Sequence, residues 1–141
     1  MMTKVVQRTF LIAVFCAATL AVVGNAQVPQ ADKLSIAARV RTFADARNAH
    51  DGTTVAALYS VDGEYISTEG NSVRGRAELA KLWSSVTGQV RRTVESVEFA
   101  GPNIALVRVN MLYPDIGEHH ETFVFVKAGA RWEIRVHQTV D

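Results

Sequence analysis

Apolar residues recur at helical spacing over residues 32–49, where Ile36, Val40 and Phe43 share a face and Ala37, Ala44 and Ala46 favour a helix. Arg39, Arg41, Asp45 and Arg47 fall largely on the other face. His50-Asp51-Gly52 ends this helix, with Gly52 suited to the stop. A second, short helix comes next, capped by Thr53 or Thr54, with Val55, Leu58 and Tyr59 as its buried edge. Asp62-Gly63 reads as a turn. Residues 64–67 alternate as a strand, with Tyr65 and Ser67 on one side. Glu69-Gly70-Asn71-Ser72 reads as a second turn. A third helix spans about residues 75–86, where Leu79, Leu82, Trp83 and Val86 stand at i, i+3, i+4 and i+7.

The remainder reads as sheet. Residues 90–99, 104–113, 119–127 and 132–140 are rich in β-branched and aromatic residues. Gly101-Pro102-Asn103, Pro114-Asp115-Ile116-Gly117 and Ala128-Gly129-Ala130 separate them as turns. Helices succeeded by consecutive hairpins predict an α+β fold, with three N-terminal helices packed on one face of an antiparallel sheet.

The first residues change the arithmetic. Lys4 and Arg8 form a basic start, residues 10–23 carry no charge, and Gly24-Asn25-Ala26 offers small residues for cleavage. This is the plan of a secretory signal peptide over residues 1–26. The apolar run is shorter than the ~20 residues a membrane span needs, so no stable membrane anchor is expected after cleavage. Cys16 comes after Phe15 rather than a small residue, which argues against a lipoprotein. Residues 27–33 read as a polar leader containing Pro29, and residues 34–141 as a single domain. A secreted or periplasmic location is therefore expected. Losing Lys4 and Arg8 turns the formal charge of +1 into −1, and the mixed charges give no basic face for nucleic acid. The chain without its signal has no cysteine, so neither a disulfide nor a thiol nucleophile is available.

Asn48-Ala49-His50-Asp51, Leu58-Tyr59, Asp62 with Tyr65, Gly70, Arg74-Gly75-Arg76 and Trp132-Glu133-Ile134 carry a resemblance. In that order and spacing, the chain resembles the nuclear transport factor 2-like superfamily, which includes ketosteroid isomerases and SnoaL-like proteins. Within it, the likeness is to the small SgcJ/EcaC-type group, over roughly residues 34–139. The resemblance implies a cone: a curved antiparallel sheet wrapped on helices, with an internal pocket at its mouth. It does not fix an activity. Ketosteroid isomerases use a carboxylate shuttle, a tyrosine and a protonated acid. Aligned on this chain, those positions fall on Ser67, Phe43 and Glu121 respectively. Phe43 has no hydroxyl and Ser67 is no base near neutral pH, so steroid isomerisation in that form is not expected.

Several side chains remain as candidates. Glu121 shares strand parity with His119, Phe123 and Phe125; all four point into the cone, or the polar pair is solvated at the strand entrance. In the pocket, Glu121 and His119 would exchange a proton near pH 7. Asp62 is either a turn carboxylate or a base on the pocket rim, with Tyr65 donating to a bound oxygen. Trp83 is a core residue, a ligand platform, or both. Arg108 and Asn110 stand either in the pocket or on a solvated outer sheet face. His137 alternates with Trp132, Ile134 and Val136 and is expected outside, where a dimer interface would lie. No His-Glu-x-x-His, phosphate loop or nucleophile elbow occurs, so no metal or cofactor is expected. The expected function is binding of a small, largely apolar or carbonyl-containing molecule, with cofactor-free isomerase- or hydratase-like chemistry left open. The alternative is a non-catalytic module that forms a homodimer through its outer sheet.

Overall fold

The computed structural model describes residues 30–140. The expected signal peptide lies outside the described residues. The elements run in order α1 (Gln30–Asn48), α2 (Gly52–Ala57), β1 (Tyr59–Ile66), β2 (Ser72–Arg74), α3 (Arg76–Ser85), β3 (Arg91–Phe99), β4 (Ile104–Tyr113), β5 (Gly117–Ala128) and β6 (Arg131–Val140). The strands form one six-stranded sheet of order β2-β1-β6-β5-β4-β3. All neighbours are antiparallel except β1 and β6, which run parallel. The sheet is curved and unclosed, and the helices lie on its inner face, as the α+β reading requires. No described helix is long and apolar enough to cross a membrane.

The inner face explains the stripe on α1. Ile36, Val40 and Phe43 are buried against Ala105, Val107 and Val109 of β4, Phe123 and Phe125 of β5, and Ile134 of β6. Burying each such side chain contributes roughly 1.5–3 kcal/mol. The start of α1 is pinned by a polar clamp. Asp32 accepts from the Trp132 indole N–H (2.9 Å) and from Lys127 Nζ (3.0 Å). The helix, expected from about Asp32, already begins at Gln30, inside the expected leader.

The link from α1 to β1 differs from the expectation in three places. His50, not Gly52, takes the left-handed position that ends α1, at φ 58°, and its Nδ1–H donates to the Val86 carbonyl (2.7 Å). Asp51, not Thr53 or Thr54, caps α2 by accepting from the Thr54 amide (3.0 Å) and hydroxyl (2.6 Å). Gly52 instead serves close packing: a Cβ there would sit 2.1 Å from the Ala80 carbonyl oxygen on α3. Asp62-Gly63 is not a turn between elements but part of an irregularity inside β1, which already begins at Tyr59.

Further register shifts occur at Glu95 in β3 and Arg135 in β6. Each adds one unpaired residue, bends its strand and reverses the facing of the residues beyond it. Val94 and Val97 both pack inward because Glu95 is extra. Ile134 and His137 both face inward because Arg135 is extra.

Candidate functional site

A cavity of about 370 Å³ lies at one end of the inner face. Tyr65 from β1, Leu82, Trp83 and Val86 around α3, and Met111 and Tyr113 from β4 give it an apolar and aromatic wall. Ser67, Thr68 and Glu69, with the exposed Ile116, border its mouth. Arg47, Arg92, His119, Glu121 and Thr139 are the polar groups of the wall. A larger groove of about 840 Å³ runs between α1 and β3, with a mixed lining that includes Arg41, Asp45, Gln89 and Arg91 beside Ala37, Val94 and Leu112. Arg92 borders both hollows. The smaller one is the better site, because the buried polar groups of the cone converge there.

Those groups form one chain of hydrogen bonds. Arg92 grips Glu121 with two N–H groups, Nε to Oε2 at 2.7 Å and Nη2 to Oε1 at 2.9 Å. Their side chains are 2% and 1% exposed. His137 Nε2 lies 3.0 Å from Glu121 Oε1, and its Nδ1 lies 2.9 Å from the Tyr59 hydroxyl. An ionised Glu121 can only accept, which assigns the proton to Nε2 and makes Tyr59 O–H the donor to Nδ1. His137 is fully buried, stacked on Phe123 at 4.1 Å with 9° between the planes, and packed also against Trp83 and Phe43.

The electrostatics arise from that packing. Burial alone would raise the pKa of Glu121, but the Arg92 charge, then the charge His137 carries once protonated in acid, and the hydrogen bonds from both overcome it and bring it down to about 2. Burial lowers the pKa of His137, against the pull of Glu121, so the imidazole is neutral at pH 7. Burial, helped by the Glu121 charge, pushes the Tyr59 hydroxyl well above its ordinary value. For Arg92, burial opposes the charge, yet Glu121 holds its pKa above the ordinary value. The result is a fixed ion pair with a neutral imidazole beside it. A carboxylate with a pKa of about 2 is a poor base near neutral pH.

Comparison with known proteins now bears on this geometry. The SnoaL-like domain family matches residues 40–140. The chain belongs to that family. Solved structures support the same fold. A domain of unknown function with a cystatin-like fold from Nostoc punctiforme is 26% identical, with a TM-score of 0.70 over 79% of this chain and 77% of that one. A ketosteroid isomerase-like protein from Erwinia carotovora atroseptica is 21% identical, with a TM-score of 0.64 over 76% and 93%. An NTF2-like protein of unknown function from Shewanella oneidensis is 17% identical, with a TM-score of 0.68 over 78% and 99%. A search of the curated proteins found no match.

Within this SnoaL-like cone the expected site residues separate. Tyr65, Trp83, His119 and Glu121 line the cavity, and Ser67 stands at its mouth. The Tyr65 hydroxyl lies 3.2 Å from Thr139 Oγ1, and Ser67 Oγ donates to Glu69 at 2.8 Å. Trp83 is also core, in edge contact with Phe43 and Tyr65. Phe43, Phe123 and Phe125 are fully buried behind the wall and belong to the core. Asp62 is not a rim base: its side chain is 67% exposed and pairs with Arg135 (3.1 Å). Arg108 lies exposed on the outer sheet face, with Asn110 at the same parity. The imidazole on Glu121 is that of His137, whereas His119 packs edge-on against Tyr113 at 5.5 Å. His137 was expected outside, and the extra residue Arg135 is what turns it inward.

Arg47, Arg92, Tyr59 and Met111 were not anticipated as site residues. Arg47 had a readable signal, since it continues the Ile36, Val40, Phe43 stripe by one more helical step. Arg92 did not: Arg91 and Arg92 are adjacent on a strand, and only the register decides which one points inward.

Proposed function

We propose that this is an exported SnoaL-like protein that binds a small, largely apolar molecule in the cone cavity. The carrying observation is the cavity itself, with aromatic and aliphatic walls and a few convergent polar groups, within the ~300–1,000 Å³ typical of ligand sites. Export is supported by the basic start, apolar run and small-residue end of residues 1–26. Isomerase- or hydratase-like turnover on such a ligand would draw its proton carrier from His119, Tyr65 or Tyr113, because Glu121 is tied to Arg92.

Met111 makes the reading testable. Without residues 1–26, it is the only methionine of the chain, and it lies in the cavity wall. A ¹³C-methyl methionine spectrum of the signal-free protein therefore has one reporter. Titration with 1-indanone, a compact neutral ketone, is expected to shift this resonance saturably. A methyl resonance that stays fixed to millimolar 1-indanone and millimolar cinnamate would rule the cavity out as a site for molecules of this size.

A second reading concerns assembly and rests on the outer sheet face. Ile104, Leu106, Val124, Val126 and Val136 are cross-strand neighbours there and form one apolar patch. Such a patch suits a homodimer formed sheet to sheet.

A further inference from the structure

The cavity's polar end holds more positive charge than its own carboxylate answers. Arg92 spends Nε and Nη2 on Glu121, with Nη2 also 3.4 Å from Met111 Sδ, while its buried Nη1 has no acceptor among the described protein atoms. Arg47, 1% exposed, reaches the Gly88 carbonyl and Asn48 Oδ1 (3.4 Å) with Nη1 and the Thr87 carbonyl (3.1 Å) with Nη2. Its buried Nε has no acceptor either. Among the described residues Arg47 makes no ion pair; its hydrogen-bond partners are neutral oxygens, the Tyr113 hydroxyl among them, and Glu121 acts on it only from a distance. Burial and then the neighbouring Arg92 charge depress its pKa. Glu69, the other cavity acid, is solvent-exposed at the mouth and bonded to Ser67, where water screens it. Thus two buried guanidinium groups stand against one buried carboxylate, which only Arg92 touches; both arginines line the same cavity, and each has one N–H without an acceptor.

We infer that the Arg47–Arg92 end of the cavity receives the carboxylate of a small organic acid, whose apolar body lies against Leu82, Trp83, Val86 and Met111. This rests on the reading of the cavity as a small-molecule site and specifies its ligand class. A carboxylate has two acceptor oxygens, one for each spare donor, and its single negative charge balances the excess. A ketone or amide would fill one donor and leave the charge unanswered. Arginine suits the task because it stays ionised when buried and presents fixed, planar donors.

The test compares trans-cinnamate with cinnamamide, its neutral isostere, using the Met111 methyl resonance of the signal-free protein. Cinnamate is expected to bind about 10–100-fold more tightly, the worth of a hydrogen bond to a charged group. An Arg47→Gln variant is expected to lose that preference while still binding cinnamamide, with its melting curve recorded alongside. Should that variant not fold, wild-type protein with carboxyl-¹³C cinnamate gives the answer. The bound carboxyl is expected to titrate at lower pH than in free solution, because the guanidinium groups favour its ionised form. Equal binding of acid and amide, or a bound carboxyl that titrates no lower than the free acid, would overturn the carboxylate assignment and leave the cavity reading intact. No response to cinnamate, cinnamamide or 1-indanone would overturn both.

Discussion

Replacing Arg92 by leucine is expected to cost roughly 3–5 kcal/mol of folding stability at pH 7, the range found when one partner of a buried ion pair is removed. Glu121 is 1% exposed and would be left with a single donor, the His137 Nε2–H. It would then take up a proton rather than stay charged in the core. Protonating an ordinary carboxylate at pH 7 costs about 3–4 kcal/mol, which sets the lower part of the range. Adding Glu121→Leu to Arg92→Leu is expected to restore most of the loss, because apolar pairs of similar volume often replace buried ion pairs without penalty. Urea unfolding of both single variants and the double variant completes the cycle. Additive losses, or a loss under about 1 kcal/mol for Arg92→Leu alone, would show that the pair does not act as a unit.

Acid is expected to destabilise this protein in two stages. Glu121 has a folded pKa of about 2 against an ordinary 4.5, so its contribution is fully present above 4.5 and is lost as pH falls toward 2. That loss amounts to roughly 3 kcal/mol. His137 acts at higher pH with the same sign. Its folded pKa lies below the ordinary 6.5, so the unfolded chain takes the proton first and stability begins to fall below pH 6.5. Asp32 and Asp51, both held below their ordinary values mainly by hydrogen bonds, add in the same direction as Glu121. Unfolding free energies at pH 7, 5.5, 4 and 3 would trace this course. A Glu121→Gln variant starts lower at pH 7, since it strands Arg92, but is expected to show a flatter slope below pH 4.5. Parallel slopes for variant and wild type would remove Glu121 as the cause.

These two expectations rest on residues that were only partly legible in the sequence. The helices are visible in the periodicity, and the hairpin run β3 to β6 in alternation broken by turn residues, so the α+β class was readable throughout. Parity with Phe123 and Phe125 left Glu121 either in the cone or solvated at the strand entrance, and the structure buries all three. His137 failed by the same logic because Arg135 is an extra residue, and a bulge of this kind leaves no mark in a hydrophobic pattern. Arg47 failed for another reason: its charge was allowed to outrank its position on the buried stripe of α1. Asp62-Gly63 has the composition of a turn, yet it sits where β1 bends beside β6. Burial of charged groups depends on partners from distant strands, and Arg92 and Glu121 lie on strands that are not neighbours, bridged across the inner face beside β4.

The ion pair also bears on chemistry. Glu121 stands where the isomerase resemblance requires a protonated acid, yet Arg92 keeps it ionised, so it cannot donate a hydrogen bond to a developing enolate. Phe43 and Ser67 lack the other functions, one buried in the core and the other tied to Glu69 at the mouth. The three positions of the isomerase resemblance therefore do not assemble that proton shuttle in this cone.

Native mass spectrometry of the protein purified from its own periplasm or culture fluid tests the central claim most directly. The account predicts loss of the first 26 residues, a dimer, and a retained small molecule released on activation, which negative-ion analysis identifies as an acid. Protein that runs free of any adduct, and that gains none when dialysed against an extract of its own cells, would contradict the account of this cavity as a ligand site.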